Sequence, residues 1–309
     1  MREDREAPNV KKKKGSMLIG LVAEMGLFTT SLELPNEKTG GQITVDFIPP
    51  DRERSSITLP LIPDTAGLER VEVHLHGSSA SVYDMGTKFN SWFSDCFGYK
   101  VKLVAVGDQE RDILFPGLAP PQQTSTSWLS GMTKSLPVVG NLLSGQQLET
   151  RVQFQDCAPF LVCTRKSCDA VSSQMPDGAE FDIRRSRPNI VVSGQEAWEE
   201  DFWGELSFSE GTDEIKIPLK HNCLRCQSLN VDFDKGVYSE ERSMQFLKVL
   251  QKDRRVDKVR KYNAAFGRYG FITAADVGKE LRVGDAVKVA QLNEERSGFG
   301  KFLFLLKRC

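Results

Sequence analysis

Alternation of apolar and polar positions dominates the first third of the chain and predicts β-strands. In Gln42–Ile48 every second residue is apolar, and the same period of two returns in Arg70–His76. Short apolar runs at Ser16–Ala23 and Val101–Val106 predict two further strands. The pattern therefore favours a compact unit built mainly from short strands.

One stretch of the first third has the period of a helix. Its five apolar residues, spaced i, i+3, i+4, i+7 and i+8, are Phe89, Trp92, Phe93, Cys96 and Phe97. Gly98 follows at the position where helices commonly end in a left-handed turn. A single helix with one buried face is predicted here.

The second half is also predicted to be mainly β. The predicted strands are Val152–Gln155, Pro159–Thr164, Asn189–Ser193 and Glu214–Leu219, with Leu281–Ala290 as a closing hairpin arm. A helix is predicted around Ser243–Leu250, where the apolar residues have helical spacing. The fold class predicted is α+β, mainly β.

A break in this pattern predicts the domain boundary. Residues 116–148 are rich in Pro, Ser, Thr and Gly and have no sustained periodicity, as in linkers and surface insertions. This divides the chain into an N-terminal β-barrel-like domain at 1–115, the linker at 116–148, a second domain at 149–290 and a tail at 291–309.

Composition and charge narrow the class of protein. Of 309 residues, 39% are hydrophobic and 27% are charged, as in soluble globular proteins. The net charge of −1 gives no global field to attract nucleic acid or anionic membrane. No apolar run reaches the roughly 18–20 residues that a membrane-spanning helix needs. A soluble, cytosolic chain is expected from these features.

The seven cysteines do not resemble a disulfide framework, because the number is odd and only Cys223 and Cys226 are closely spaced. A reduced compartment is the better expectation. A structural zinc site normally takes four protein ligands, and no second close pair is present. Zinc is therefore an open but poorly supported alternative for this pair.

Cys226 is the main candidate for chemistry. Lys220, His221 and Arg225 precede it closely, and positive neighbours favour the thiolate, which is both a nucleophile and a soft metal ligand. The alternative is a buried cysteine at the end of a strand, packing as a small hydrophobe.

A second candidate site comes from Arg187 and Asn189, which are predicted to share one face of a strand start. A guanidinium and an amide there suit a phosphate or the edge of a heterocycle. The alternative is that Arg187 simply pairs with an acid. Trp198–Trp203 interleaves acids with aromatic residues and is predicted to be an acidic surface turn, with paired catalytic carboxylates as the alternative.

The segment Phe266–Gly270 is the third candidate. Glycines on both sides of Arg268 and Tyr269 allow the backbone to approach a ligand, while the two side chains supply a cation and a hydroxyl. A simple turn explains the segment equally well.

Taken in chain order, five motifs resemble the MOSC domain family, in the branch that contains the mitochondrial amidoxime reducing component. They are Arg187–Val192, Trp198–Trp203, Cys223–Gly236, Phe266–Tyr269 and Leu281–Asp285. The resemblance implies a second domain that is a MOSC β-barrel. At the level of the domain family it also carries an association with pyridoxal phosphate binding.

The resemblance implies a molybdenum cofactor, a pterin dithiolene holding molybdenum with one protein cysteine as a further ligand. By motif position that ligand is Cys226, with Cys223 in reserve. Arg187, Asn189, Arg225 and Tyr269 would contact the pterin or its phosphate.

The function implied is reduction of N-hydroxylated substrates such as amidoximes, with electrons from NADH through cytochrome b5 and its reductase, at the mitochondrial outer membrane. The chain departs from the family pattern where an early strand with a Lys-Ser pair and a following Arg-containing strand are expected. The N-terminal barrel is therefore expected to lack its first strands. The alternative is a non-catalytic MOSC-fold remnant, or a sulfur-carrier or interaction module without bound cofactor.

Overall fold

The structure is a computed structural model that describes residues 16–36, 39–75, 78–112, 151–208 and 214–298. The predicted linker at 116–148 and the end of the predicted tail lie outside these residues. No helix among the described residues is both long enough and apolar enough to cross a membrane.

Strands outnumber helices in the described residues, as the fold class predicts. The strands are β1 Phe28–Glu33, β2 Gln42–Phe47, β3 Ser55–Pro60, β4 Arg70–Leu75, β5 Ser78–Asp84, β6 Val104–Ala105, β7 Arg111–Asp112, β8 Arg151–Val152, β9 Phe160–Thr164, β10 Ile190–Val192, β11 Trp203–Phe208, β12 Ile215–Leu224, β13 Val231–Asp232, β14 Val237–Tyr238, β15 Ala265–Gly270 and β16 Val287–Leu292. The α-helices are α1 Thr87–Phe97, α2 Arg165–Ser172 and α3 Phe246–Asp253. Short 3₁₀ helices cover Ala23–Leu27, Pro176–Gly178, Ile183–Ser186, Glu199–Phe202, Gln227–Asn230 and Arg242–Met244.

The N-terminal part contains two three-stranded antiparallel sheets, β1-β2-β3 and β4-β5-β6. Helix α1 confirms the predicted apolar stripe and ends at Gly98, whose φ is +75°. The strand predicted at Ser16–Ala23 is wrong, because a turn and a 3₁₀ helix occupy that stretch. Within the described residues up to 112 the two sheets share no strand pairing, so the predicted barrel-like domain is not confirmed.

The second part is built on a six-stranded sheet in the order β10-β9-β15-β12-β11-β16, which curls into a half-barrel. Among the strands that the structure describes, β9 and β10 alone pair in parallel. Val162 on β9 pairs with Arg268 on β15, and Arg268 pairs with Asn222 on β12. Strands β9, β10 and β12 therefore run in one direction, and their carboxyl ends lie on the same side of the sheet. Cys226 follows shortly after the carboxyl end of β12.

Apolar side chains fill both faces of this sheet. Leu161, Cys163 and Cys223 belong to a core cluster with residues of α2 and α3. Val162, between the first two, belongs instead to a cluster with Leu206 and other residues of β11 and β12. The alternation of β9 thus places neighbouring residues in different cores, as expected for a strand buried on both faces.

Candidate functional site

Cys226 lies at the carboxyl edge of the sheet, between the end of β12 and the 3₁₀ helix Gln227–Asn230. Its side chain is exposed, and its Sγ lies 3.2 Å from the Oγ of Ser228. The sequence left open whether this residue is a buried strand-end cysteine. The exposed thiol favours the reactive alternative over the packing one.

Cys223 has the opposite environment, although it is only three residues away. It is 4% exposed, and the Nη1 of Arg225 donates to its Sγ at 2.9 Å. The Nη2 of Arg225 donates to the carbonyl of Ser186 at 2.9 Å, whereas its buried Nε has no hydrogen-bond partner among the described residues. The two thiols therefore do not face a common site.

This geometry corrects the electrostatic argument for Cys226. The guanidinium of Arg225 contacts Cys223 and not Cys226. Burial also lowers the pKa of Lys220 and of His221, which disfavours their charged forms. The positive charge predicted beside the Cys226 sulfur is therefore reduced, since Arg225 is directed to Cys223 and burial disfavours the cations of Lys220 and His221.

Tyr269 lies in the same core cluster as Cys223 and is a neighbour of Arg225. Burial raises the pKa of its phenol well above the usual range, and the neighbouring thiols of Cys223 and Cys157 add to the effect. Burial likewise raises the pKa of Cys157 to about 12. Arg225 and Tyr269 are each 7% exposed, so little of either side chain is accessible to a ligand in this structure.

Arg187 and Asn189 lie on the loop before β10 and not on the strand itself. Arg187 has left-handed backbone angles, φ 54° and ψ 49°, and its Nη2 lies 3.1 Å from an Asp156 carboxylate oxygen. The Oδ1 of Asn189 accepts a 2.8 Å bond from the backbone of Leu161. The argument that strand alternation puts both side chains on one face is therefore wrong, although both residues are exposed.

The predicted acidic surface turn at Trp198–Trp203 is also wrong. Glu200 and Asp201 are 0% and 2% exposed. Asp201 binds Arg254 through two bonds of 3.0 and 2.7 Å and Arg296 through one of 2.8 Å. Interleaved aromatic residues turn this segment inward, and buried charge is tolerated because it is paired.

Glu200 is a buried acid that has hydroxyl groups as partners. Its Oε2 accepts from Ser167 at 2.8 Å and from Thr164 at 3.2 Å, and its Oε1 has no partner among the described residues. Burial raises the pKa of this carboxyl group. Thr164 ends β9 and Ser167 lies in the first turn of α2, so Glu200 links both elements to its own segment. The amide of Trp198 in that segment also donates to Ser167.

Replacing Glu200 with glutamine is expected to change how stability depends on pH. A raised pKa means that the folded chain holds the proton more tightly than the unfolded chain. The contribution of protonated Glu200 to the free energy of unfolding is fully present below about pH 4.3, the pKa of an exposed Glu. It is lost as the pH rises through the folded-state pKa. The free energy of unfolding of Glu200→Gln, relative to the wild type, should therefore increase from acidic to neutral pH.

Urea unfolding at several pH values measures this difference. Glu280→Gln, at a side chain that is 77% exposed, is the control and should show no comparable trend. A difference between Glu200→Gln and the wild type that stays constant with pH would contradict the expectation.

The segment Phe266–Gly270 is part of β15 and is buried throughout, so it is neither a surface turn nor a ligand loop. Gly267 has φ +82° and lies in a bulge of the β12–β15 pair. Arg268 is 0% exposed, and its guanidinium donates to Asn222 at 2.8 Å and to the carbonyl of Leu219 at 3.1 Å. The glycine therefore serves strand geometry.

Three neighbours of the candidate site were not found from the sequence. Asp156 pairs with Arg187, Ser186 accepts from Arg225, and Cys157 lies beside Tyr269. Asp156 and Cys157 come from the loop before β9 and Ser186 ends the 3₁₀ helix Ile183–Ser186, all outside the predicted motifs. A signal existed only for Asp156, as an acid near a strand start.

The donor set limits the kind of metal centre that fits. In the part of the chain that the structure describes, no group of three or more His, Cys, Asp or Glu side chains could hold a metal ion. This part of the chain offers no zinc site around Cys223 and Cys226. A metal that brings its own ligands and needs one soft thiolate does fit the exposed Cys226.

Comparison with known proteins shows which domain family part of the chain resembles. The model of the MOSC domain matches residues 149–288. Mitochondrial amidoxime reducing component 2 from Rattus norvegicus is 34% identical over 137 residues, which are 44% of this chain and 38% of that protein. The Homo sapiens protein of the same name is 33% identical over 138 residues, with the same two shares.

A further match extends over more of this chain. Molybdenum cofactor sulfurase from Oryza sativa subsp. japonica is 24% identical over 223 residues, which are 70% of this chain and 23% of that protein. The chain thus spans less than two-fifths of the length of each of these relatives.

Proposed function

Because the MOSC domain model matches residues 149–288, we propose that the protein binds a molybdenum cofactor through the thiolate of Cys226. The observation that carries the proposal is the exposed Cys226 sulfur just beyond the edge where three strands end. Cys223, the reserve ligand, is buried against Arg225 and is not accessible to a ligand in this arrangement. Relatives named for an amidoxime reducing component and for a molybdenum cofactor sulfurase support the choice of metal.

The remaining candidate residues divide into two groups by exposure. Arg187 and Asn189 are exposed and offer a guanidinium and an amide NH₂ for the pterin or its phosphate. Arg187 would share its charge between that ligand and Asp156. Arg225 and Tyr269 are buried, so they would support the site from the core, where Arg225 holds the end of the 3₁₀ helix at Ser186.

The reaction proposed is the reduction of N-hydroxylated substrates such as amidoximes. The substrate takes up two electrons and two protons, its N–O bond breaks, and the oxygen leaves as water. The bound cofactor supplies the redox centre for this chemistry. The electrons are proposed to come from NADH through cytochrome b5 and its reductase, at mitochondria.

A second candidate function is supported by the span of the sulfurase match. Similarity to molybdenum cofactor sulfurase covers 70% of the chain, whereas similarity to the amidoxime reducing components covers 44%. A sulfur-carrier or interaction module that holds no cofactor would also use an exposed thiol such as Cys226. The two functions differ in whether molybdenum stays on the protein.

The test is the molybdenum content of the chain purified from a host that makes the cofactor. We expect close to one molybdenum per chain in the wild type and none in Cys226→Ala. Cys223→Ser, which keeps an acceptor for Arg225, is the matched control and should retain the metal. Circular dichroism verifies that all three proteins are folded.

Activity is then measured with an aromatic amidoxime, NADH, cytochrome b5 and its reductase, and should be lost with the metal. A folded wild type without molybdenum would favour the second function, and full metal content in Cys226→Ala would exclude Cys226 as the ligand.

A further inference from the structure

An N-terminal segment from outside the matched domain lies directly on the Cys226 loop. This segment, Leu18–Val22, is called the strap. It forms a tight turn in which the amides of Leu21 and Val22 donate to the carbonyl of Leu18 at 2.7 and 2.9 Å. The turn brings Gly20 to the sulfur: a Cβ atom added to Gly20 would lie 3.4 Å from the Sγ of Cys226.

Two hydrogen bonds hold the strap against the residues around Cys226. The Nε2 of Gln227 donates to the carbonyl of Gly20 at 3.2 Å. The hydroxyl of Tyr238 donates to the carbonyl of Ile19 at 3.4 Å. Both acceptors are backbone atoms, so the contact depends on the path of the strap and not on its side chains.

The strap is anchored on both sides. Before it, the Oγ of Ser16 donates to the carbonyl of His74 at 2.9 Å. After it, Leu27 packs so closely on the turn at Gly236 that a Cβ there would lie 2.6 Å from the Leu27 side chain. The position of the strap beside the thiol is therefore set by contacts at its ends as well as at its tip.

We propose that the strap forms one wall of the Cys226 site and that the missing side chain at Gly20 sets the size of the group that can reach the sulfur. Gly20 has no left-handed φ, so its backbone would accept a side chain. A Cβ alone would make an ordinary contact with the sulfur, whereas a branched side chain would cover it, since two γ-methyl groups leave few rotamers that point elsewhere. The glycine is thus a determinant of access and selectivity at Cys226.

This inference deepens the proposed function and rests on it for the identity of the ligand. Access to the sulfur can be measured without any cofactor. The experiment compares the rates at which Cys226 reacts with iodoacetamide, which is small, and with a pyrene maleimide, which is bulky. Mass spectrometry of the peptide containing Cys226 separates its reaction from those of the other cysteines.

In Gly20→Val we expect the reaction with the maleimide to slow by about tenfold, which corresponds to about 1.4 kcal/mol on the barrier, and the reaction with iodoacetamide to slow less. Gly20→Ala should change either rate by less than about twofold. Gly40→Val is the matched control, because an added Cβ at Gly40 meets no atom within 4 Å, and it should leave both rates unchanged. Gln227→Ala, which removes one of the two hydrogen bonds to the strap, should speed the reaction with the maleimide.

Equal rates in the wild type and in folded Gly20→Val would overturn the proposal, as would an equal loss in Gly40→Val. Molybdenum content is measured on the same variants. If Gly20→Val is labelled more slowly and the wild type holds no metal, the first result supports the strap as a wall and the second contradicts the proposed cofactor. Unchanged labelling beside a metal-loaded wild type contradicts the strap as a wall and supports the cofactor.

Discussion

Asp201→Asn is expected to lower the free energy of unfolding by about 3–5 kcal/mol. The Asp201 and Arg254 side chains are 3% and 4% exposed, and the carboxylate is the acidic partner of both Arg254 and Arg296. The cation of Arg254 also lies 4.0 Å from the centre of the Trp198 ring. Removing the negative charge leaves a buried guanidinium without compensation, which costs more than the pair itself contributes.

Denaturant unfolding of the purified variant measures this loss. Glu280→Gln provides the control, because its partner Arg282 lies 3.0 Å away in a pair whose side chains are 77% and 66% exposed. That exposed pair should contribute less than about 1 kcal/mol. The double variant Asp201→Asn with Arg254→Met should lose less than the sum of the two single variants, since no unpaired cation remains at position 254 and the side chain of Arg296 is 37% exposed. A loss below about 1 kcal/mol for Asp201→Asn would show that the charge is not needed.

Gly267→Ala is expected to destabilise the protein by about 2–4 kcal/mol, the sum of a left-handed backbone cost and overpacking. Gly267 has φ +82°, and an added Cβ would lie 2.7 Å from the sulfur of Cys163 and 2.8 Å from the carbonyl oxygen of Val162. The second of these atoms is backbone in the neighbouring strand β9, so it cannot move without disturbing the β9–β15 pairing. Because β15 lies between β9 and β12 and pairs with both, this strain would fall at the centre of the sheet.

Gly278→Ala separates the two costs. Gly278 has φ +90°, but an added Cβ meets no atom within 4 Å, so its substitution reports backbone strain alone. We expect a loss of about 1 kcal/mol there. Thermal or urea unfolding of both variants gives the comparison, and equal losses would mean that the close contacts of Gly267 are relieved without cost.

The elements that the sequence predicted correctly are those whose pattern depends on neighbouring residues alone. Helix α1 has a complete apolar stripe and a terminal glycine, and the alternating strands β2 and β4 have one buried face. Strand β1 was not predicted, because it lacks such a pattern. Five of its six residues are exposed, so no buried face leaves a periodic signal in the sequence.

The candidate site shows the same division. Sequence identified Cys223 and Cys226 as a pair with a metal-ligand spacing but could not tell which thiol is accessible. The backbone after β12 turns one sulfur outward and leaves the other against Arg225. Arg225 is held in turn by the carbonyl of Ser186, at the end of a 3₁₀ helix that is distant in the chain. Likewise, the inward turn of Glu200 and Asp201 depends on partners such as Arg254, more than fifty residues away.

From the sequence alone come the prediction of a mainly β chain, the resemblance of ordered motifs in its second half to a MOSC domain, and the choice of Cys226 as the candidate for chemistry. Local periodicity and motif order carry that information, since both are properties of residues close in the chain. The tertiary structure decided which thiol is exposed, which acids are buried as ion pairs, and that an N-terminal strap lies on the Cys226 loop. These features arise from contacts between residues far apart in sequence, such as Gly20 and Gln227, and burial and hydrogen bonding set them only once the chain is folded.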